Sequence, residues 1–219
     1  PIMRIIVFSG VDGTGKTTHA HLLLIALSAR GFKAKVIWFR WRSIFTHALY
    51  LYAKLRRIVV KIVDGNSNIL VERRIFYKDN VMTKLYPVVL LLDMMIYYII
   101  IILKNLLFRY DYLIFDRFFI DALVDLIIDT QSRTLLEGWI GKIVLSICKK
   151  TDIVFLLDAG VLELLSRRKI IDMLTFRKHL YLEMAKRIGA IVIRTNGKIG
   201  AVKKKVISYV LQSCRRVRH

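Results

Sequence analysis

Short apolar runs rich in β-branched residues alternate along the chain with longer stretches in which apolar residues recur every three or four positions. The first pattern predicts buried strands, the second amphipathic helices. Strands are expected at Arg4–Ser9, Lys35–Phe39, Tyr112–Phe115, Ile153–Leu157 and Ala190–Arg194. Helices are expected over Lys16–Arg30, Ile44–Val63, Val81–Phe108, Asp121–Asp129, Leu135–Cys148, Val161–Lys169, Thr175–Ile188 and Ile199–Leu211. In the first helix Leu22, Leu23, Ala26 and Leu27 share a face, and Gly31 supplies its stop. The turn-forming run Asp64-Gly65-Asn66-Ser67-Asn68 closes the second. Ile69–Asp79 fits neither period, and a kink is expected near Pro87. The strand runs are continuously apolar, as burial on both faces of a parallel sheet requires. The expected class is therefore α/β, a parallel sheet of these five strands with helices on both faces. No repeat or low-complexity linker divides the pattern, so 1–219 is expected to be one domain.

Composition narrows the partners. Hydrophobic residues make up 56% of the chain, too many for a disordered protein. Cys148 and Cys214 form no CxxC pair, which argues against a disulfide scaffold or a cysteine zinc site and for a reducing compartment. His19, His21, His47 and His179 have no metal-ligand spacing with carboxylates. Pro1–Ser9 is too short for a signal peptide before the first strand, so a cytoplasmic protein is expected. Lys plus Arg is 37 against 16 for Asp plus Glu, a net charge of +21. Such a charge suits nucleic acid, an anionic membrane face or phosphorylated small molecules. The basic residues are scattered rather than gathered in an arm, and no recognition helix or zinc finger is visible, so nucleic acid is not expected. Leu85–Phe108 is almost wholly apolar, but Pro87, Asp93, Lys104 and Asn105 interrupt it. The uncharged pieces are shorter than the roughly 20 residues of a spanning helix. A core or subunit-interface helix is the preferred reading, with weak membrane-surface contact as the alternative.

The chemistry lies at the end of the first strand. Gly10-Val11-Asp12-Gly13-Thr14-Gly15-Lys16-Thr17 has the spacing G-x-x-x-x-G-K-[ST], with Thr18 after it. Glycines there let backbone N–H groups turn inward around phosphate oxygens. The lysine adds a positive charge, and the hydroxyl of Thr17 can ligate Mg²⁺. The helix directly behind contributes its N-terminal dipole. An apolar strand before and an amphipathic helix after are the context this motif needs. A second strand, Tyr112-Leu113-Ile114-Phe115, ends in Asp116, placed to hold Mg²⁺ directly or through water. Arg117 follows, suited to clamping an acceptor phosphate or neutralising the group in transfer. The alternatives are an Asp116 that caps a helix and an Arg117 that pairs with Asp116 or Asp121.

With Phe8-Ser9-Gly10-Val11-Asp12-Gly13-Thr14-Gly15-Lys16-Thr17-Thr18 and Asp116-Arg117-Phe118 the chain resembles the thymidylate kinase family. Phe155-Leu156-Leu157-Asp158, the segment from Glu163 to Arg168 and Tyr181-Leu182 extend the likeness over nearly the whole chain. The resemblance implies a P-loop NTPase fold, often dimeric, with ATP and Mg²⁺ as cofactors. It implies transfer of the γ-phosphoryl group to a nucleoside monophosphate, dTMP above all, and a lid near 166–176 whose Arg167 or Arg168 reaches the transferring group. Lys16, Asp116, Arg117 and Arg168 would be catalytic. Departures cluster on the acceptor side. Ser9 stands in place of the family's phosphate-loop Glu, and Trp38-Phe39-Arg40-Trp41-Arg42 replaces Arg-Glu-Pro-Gly. Leu92 and Ile96 fall where Phe-x-x-x-Arg reads thymine, and the Ser-x-x-Ala-Tyr-Gln segment is replaced by one carrying Asp121, Ala122 and Asp125.

The acceptor-side candidates are thus Arg40, Arg42, Asp93, Arg117 and Asp121. Arg40 or Arg42 could clamp a phosphate after the second strand. Asp93, on an apolar helix, needs a partner if buried, either an acceptor hydroxyl or one of Arg40, Arg42 and Arg117. Asp121 could act as base toward a hydroxyl, which keeps a sugar, polyol or lipid alcohol open as the acceptor. The turn Thr195-Asn196-Gly197-Lys198 could touch adenine.

Overall fold

A computed structural model describes residues 3–40, 45–63, 70–167, 173–197 and 199–216. The elements, in chain order, are β1 (Arg4–Ser9), α1 (Lys16–Ser28), β2 (Ala34–Trp38), α2 (Thr46–Leu55), β3 (Val59–Val63) and β4 (Leu70–Arg74). A 3-10 turn (Phe76–Lys78) precedes α3 (Asn80–Leu107), β5 (Tyr112–Asp116), α4 (Phe119–Thr130), α5 (Thr134–Glu137) and α6 (Trp139–Lys149). Then come β6 (Ile153–Asp158), α7 (Val161–Arg167), α8 (Leu174–Ile188), β7 (Ile191–Arg194) and α9 (Ile199–Arg216). The chain resolves into two compact units.

The first unit, Pro1–Arg40, Asn105–Asp121 and Leu145–His219, holds the expected parallel sheet, in the order β2-β5-β1-β6-β7. One face of the sheet packs on α1 and α9. There Ile6, Phe8, Ile114, Phe155 and Leu157 meet Ala20, Leu23 and Leu27 of α1 and Val202, Val206 and Val210 of α9. Each buried Leu, Val or Phe contributes roughly 1.5–3 kcal/mol relative to exposure, and that burial selects the helix faces. On the other face Phe115 packs edge-on against Phe39 and tilted against Phe118, and α8 lies along β6. The central strand β1 has β5 on one side and β6 on the other, with Phe8 opposite both Asp116 and Phe155. From β1 the chain first crosses to β2 and β5, then switches to β6 and β7. Ligands of open parallel sheets bind at such switch points, beyond the carboxyl ends of the strands.

The second unit, Trp41–Lys104 and Ala122–Val144, departs from the expected pattern. The helix expected over Ile44–Val63 ends at Leu55. Arg57, at φ 55°, turns the chain, and β3 pairs antiparallel with β4 from Val59↔Arg74 to Val63↔Leu70. Val59-Val60-Lys61-Ile62-Val63 is β-branched at every position but one, which favours a strand over a further helical turn. The turn run 64–68 lies outside the described residues. Ala53, Ile58, Phe76, Met82, Tyr86, Leu90 and Leu126 form this unit's core. Arg74 donates to Asp129 at 2.9 Å within it. Asp79 starts α3 by accepting the N–H groups of Val81 and Met82 at 2.9 and 3.0 Å. Pro87 lies inside α3 without ending it. The helix is long and apolar enough to cross a membrane by length and composition, yet Met82, Tyr86, Leu90 and Asp93 are buried along it. Leu85, Leu92, Ile96, Ile99, Leu103 and Leu106 are exposed.

Candidate active site

The loop between β1 and α1 reverses direction on glycine. Gly10 has φ +139°, and a Cβ there would sit 2.4 Å from the carbonyl oxygen of Leu157 on β6. Gly15, at φ +87°, is the left-handed residue that opens α1. Thr14 closes the turn, its amide and hydroxyl donating to the Val11 carbonyl at 3.3 and 2.8 Å. Lys16 is buried at the centre. Its Nζ donates to the carbonyls of Gly10 at 2.7 Å and Val11 at 3.0 Å and lies 3.5 Å from Asp12. Burial, then Arg117, hold the ammonium below its ordinary pKa, while Asp121, Asp12 and Asp116 pull it back up. Thr17 and Thr18 stand exposed in the first turn of α1.

Asp116 ends β5 beside Phe8, as the register requires. Its Oδ2 accepts the Thr17 hydroxyl at 2.5 Å. Its Oδ1 is buried and has no hydrogen-bond partner among the described residues. An orphaned buried carboxylate oxygen is costly unless a cation or water completes it. A hydroxyl and a carboxylate oxygen side by side are hard ligands of the kind Mg²⁺ takes, with phosphate oxygens and water for the rest. Thr17 and Asp116 therefore fit the ion expected of them. Among the described residues no set of three or more His, Cys, Asp or Glu is placed to hold a metal unaided.

Arg117 adopts φ 70°, a left-handed conformation uncommon for a residue with a side chain. Its amide donates to the Phe8 carbonyl at 2.9 Å, which turns the chain back over the loop. The guanidinium pairs with Asp12, and Arg40 lies 3.8 Å from the same carboxylate. Burial raises the Asp12 pKa, but Arg117, Lys16 and Arg40 outweigh it and hold the carboxyl well below the usual range. Burial lowers Arg117, yet Asp121 and Asp12 together raise it. Asp12 is thus a counterion gathering three cations at the phosphate loop, a more specific role than loop lining.

Two acceptor-side expectations are corrected. Asp93 is buried, and its carboxylate accepts the amides of Phe45 and Thr46 and the Thr46 hydroxyl at 2.7–3.2 Å. Among the described residues it caps α2 from the side, a contribution of about 1 kcal/mol for such a cap. Asp121 is also buried and committed. It accepts Ser9 Oγ at 2.7 Å, Phe118 N at 2.8 Å, the Tyr181 hydroxyl at 2.9 Å and, at 3.5 Å, Gly10 N. With both oxygens taken it is not free to serve as a base. Arg42 and residues 168–172 of the 166–176 segment, Arg168 among them, lie outside the described residues. In the 195–198 turn, Asn196 accepts the Gly160 amide at 2.9 Å and Thr195 donates to Asp158 O at 2.7 Å. Lys178, which sequence reading passed over, donates to Asp158 Oδ1 at 2.8 Å and to the Ala159 carbonyl. Ser9 and Tyr181 were also missed as site residues. Their signal was membership in the segments that carry the family likeness, Ser9 inside the phosphate-loop run and Tyr181 in Tyr181-Leu182.

A phosphate loop behind the central strand of a parallel sheet, with an aspartate ending the next strand beside it, defines the P-loop nucleotide-binding class. No protein-family model matches the chain, and no curated protein matches its sequence. Solved structures do match. The thymidylate kinase of Ehrlichia chaffeensis superposes with a TM-score of 0.56 at 17% identity, covering 96% of this chain and 100% of that one. The thymidylate kinase of Candida albicans gives 0.59 at 17%, covering 99% and 92%. The fold is that of the thymidylate kinases, reached by a sequence far diverged from both.

Proposed function

We propose that this chain transfers the γ-phosphoryl group of Mg-ATP to a nucleoside monophosphate, dTMP before others, as a cytoplasmic homodimer. The observation that carries the reading is the convergence of the Gly10–Thr17 loop, Lys16, Thr17, Asp116 and Arg117 at one end of the sheet. The loop amides and Lys16 would hold the β- and γ-phosphates, and Thr17 and Asp116 would hold Mg²⁺. That ion supplies charge neutralisation on the phosphate oxygens. Lys16 leaves its own loop carbonyls for phosphate oxygens as the nucleotide seats. Arg117 exchanges Asp12 for an anionic oxygen of the acceptor or of the group in transfer, where a fixed guanidinium stabilises the charge that develops. Phosphoryl transfer asks mainly for positioning and charge stabilisation, which these residues provide.

A second reading keeps the kinase and changes the acceptor to a sugar, polyol or lipid alcohol. It is favoured by the sequence of α3, where Leu92 and Ile96 stand in place of a thymine-reading pair. ADP formation with a panel of deoxynucleoside monophosphates tests the first reading. Turnover with dTMP or another nucleotide supports it. Labelling from γ-labelled ATP confined to non-nucleotides in a metabolite mixture supports the second.

The homodimer is supported by the spacing of six of the exposed apolar residues of α3, which carries Val81, Ile100 and Leu107 exposed beside them. Leu85, Leu92, Ile96, Ile99, Leu103 and Leu106 are separated by 7, 4, 3, 4 and 3 positions, a heptad seam. Such a seam suits knobs-into-holes packing on a second helix, whereas lipid selects no such period.

A further inference from the structure

Ser9 and Asp121 are 112 positions apart, both are buried, and Ser9 Oγ donates to Asp121 Oδ2 at 2.7 Å. Each is also a departure from the family pattern that the rest of the site resembles. A carboxylate is missing from the phosphate loop at position 9, where a hydroxyl stands. A carboxylate stands at position 121, in the segment that opens with serine in the pattern. In the structure these two departures meet, the hydroxyl of one donating to the carboxylate of the other.

The Asp121 carboxylate lies where three segments converge. Oδ2 takes Ser9 Oγ and, at 2.8 Å, the Phe118 amide next to Arg117. Oδ1 takes the Tyr181 hydroxyl of α8 at 2.9 Å and faces the Gly10 amide at 3.5 Å. Gly10 is the residue whose φ of +139° turns the chain into the phosphate loop and whose carbonyl receives Lys16. Phe118 follows the left-handed Arg117. Both oxygens face only donors. An amide in place of the carboxylate would turn an NH₂ group toward two of them, and a serine would reach fewer.

We propose that Asp121 is a positioning residue for phosphate binding, which sets the Ser9–Gly10 entry to the loop and the Arg117–Phe118 turn through one carboxylate anchored on Tyr181. The proposal rests on the phosphoryl-transfer reading. Asp121 touches no substrate in this account and acts through Gly10, Lys16 and Arg117. Misplacing reacting groups by about 1 Å costs on the order of 100-fold, so the effect belongs in nucleotide affinity and turnover as well as in stability.

The test is calorimetric titration of Mg-ATP into the full chain and its variants, with melting temperatures measured in parallel. Asp121→Asn and Asp121→Ser are expected to weaken Mg-ATP about tenfold or more per folded protein. The exchanged pair Ser9→Glu with Asp121→Ser is expected to recover to within about threefold of the parent, although Ser9→Glu alone sets two carboxylates together and binds worst. Ser9→Ala is the mild variant that keeps the proposal testable should Asp121→Ser not fold, with a loss of about threefold. A parent that binds Mg-ATP while the Asp121 variants lose only melting temperature overturns the proposal and leaves the kinase reading standing. So does a double variant no better than the worse single one. A parent that gives no heat with Mg-ATP overturns the kinase reading, and the proposal falls with it.

Discussion

The hydroxyl of Thr17 and the carboxylate of Asp116 meet at 2.5 Å across 99 positions of sequence, joining the first turn of α1 to the last residue of β5. The other Asp116 oxygen is buried and unpartnered among the described residues. One oxygen satisfied and one waiting is the arrangement a divalent cation would complete. Asp116→Ala is therefore predicted to lower kcat about 100-fold and to raise the Mg²⁺ concentration needed for half-maximal rate, with Thr17→Ala showing a smaller effect in the same direction. ADP formation measured across a Mg²⁺ titration checks both, and EDTA should abolish the wild-type rate.

Asp12 is the common counterion of Lys16, Arg117 and Arg40. An incoming polyphosphate competes with it for the same cations. Asp12→Asn should therefore leave the cluster uncompensated and the nucleotide-free protein less stable by about 1–2 kcal/mol, after allowing for partial exposure. That corresponds to a fall of about 3–6 °C in Tm for a chain of this size. The same change should tighten inorganic pyrophosphate several-fold. Differential scanning calorimetry and pyrophosphate titration check the pair of effects. A variant that melts lower and also binds pyrophosphate more weakly would show that Asp12 orders the loop rather than competing for its cations.

The sheet and the phosphate loop were legible because their signals are local. Arg4–Ser9 is one apolar run, and Gly10–Thr17 carries its spacing within eight residues. The β3–β4 pair was hidden because Ile58–Val63 is a short, mostly apolar run of a kind that helices and strands share. Only the left-handed Arg57 and the pairing with 70–74 decide between them. The roles of Asp93 and Asp121 were illegible for another reason. Asp93 was expected to need a partner if buried and Asp121 was read as a base toward a hydroxyl, but Thr46 and Ser9 lie 47 and 112 positions from them, and spacing says nothing at that range. The carboxylates read as acceptor contacts are the ones that tertiary packing has already consumed.

His19 lies buried beside Gly15 of the phosphate loop with Nδ1 unpartnered among the described residues, and burial lowers its pKa below the ordinary 6.5. A depressed histidine favours the neutral form in the folded protein. In the window below 6.5 and above the folded value the unfolded chain binds the extra proton, so stability falls as pH falls. Urea unfolding between pH 8 and pH 5 should show that loss, and His19→Gln should remove its part of the slope. A slope unchanged by the substitution would place the acid sensitivity elsewhere.

The exposed seam of α3 makes a prediction about assembly. Paired Leu92→Glu and Ile99→Glu substitutions, at positions 56% and 50% exposed, cost the protomer little but place charges in the proposed helix–helix contact. Sedimentation should show a dimer for the parent and a monomer for the variant, with Tm changed by less than about 3 °C. A monomeric parent that floats with anionic vesicles would assign the seam to a membrane surface instead.

The central claim is that the Gly10–Thr17 loop and Lys16 wrap a polyphosphate. Titration calorimetry of Mg-ATP into the wild-type chain and into Lys16→Met, with circular dichroism confirming that both are folded, tests it directly. The account predicts one site per chain in the wild type and affinity weakened at least about 100-fold without the ammonium group. No heat from the wild type, or equal binding by the two proteins, would contradict it.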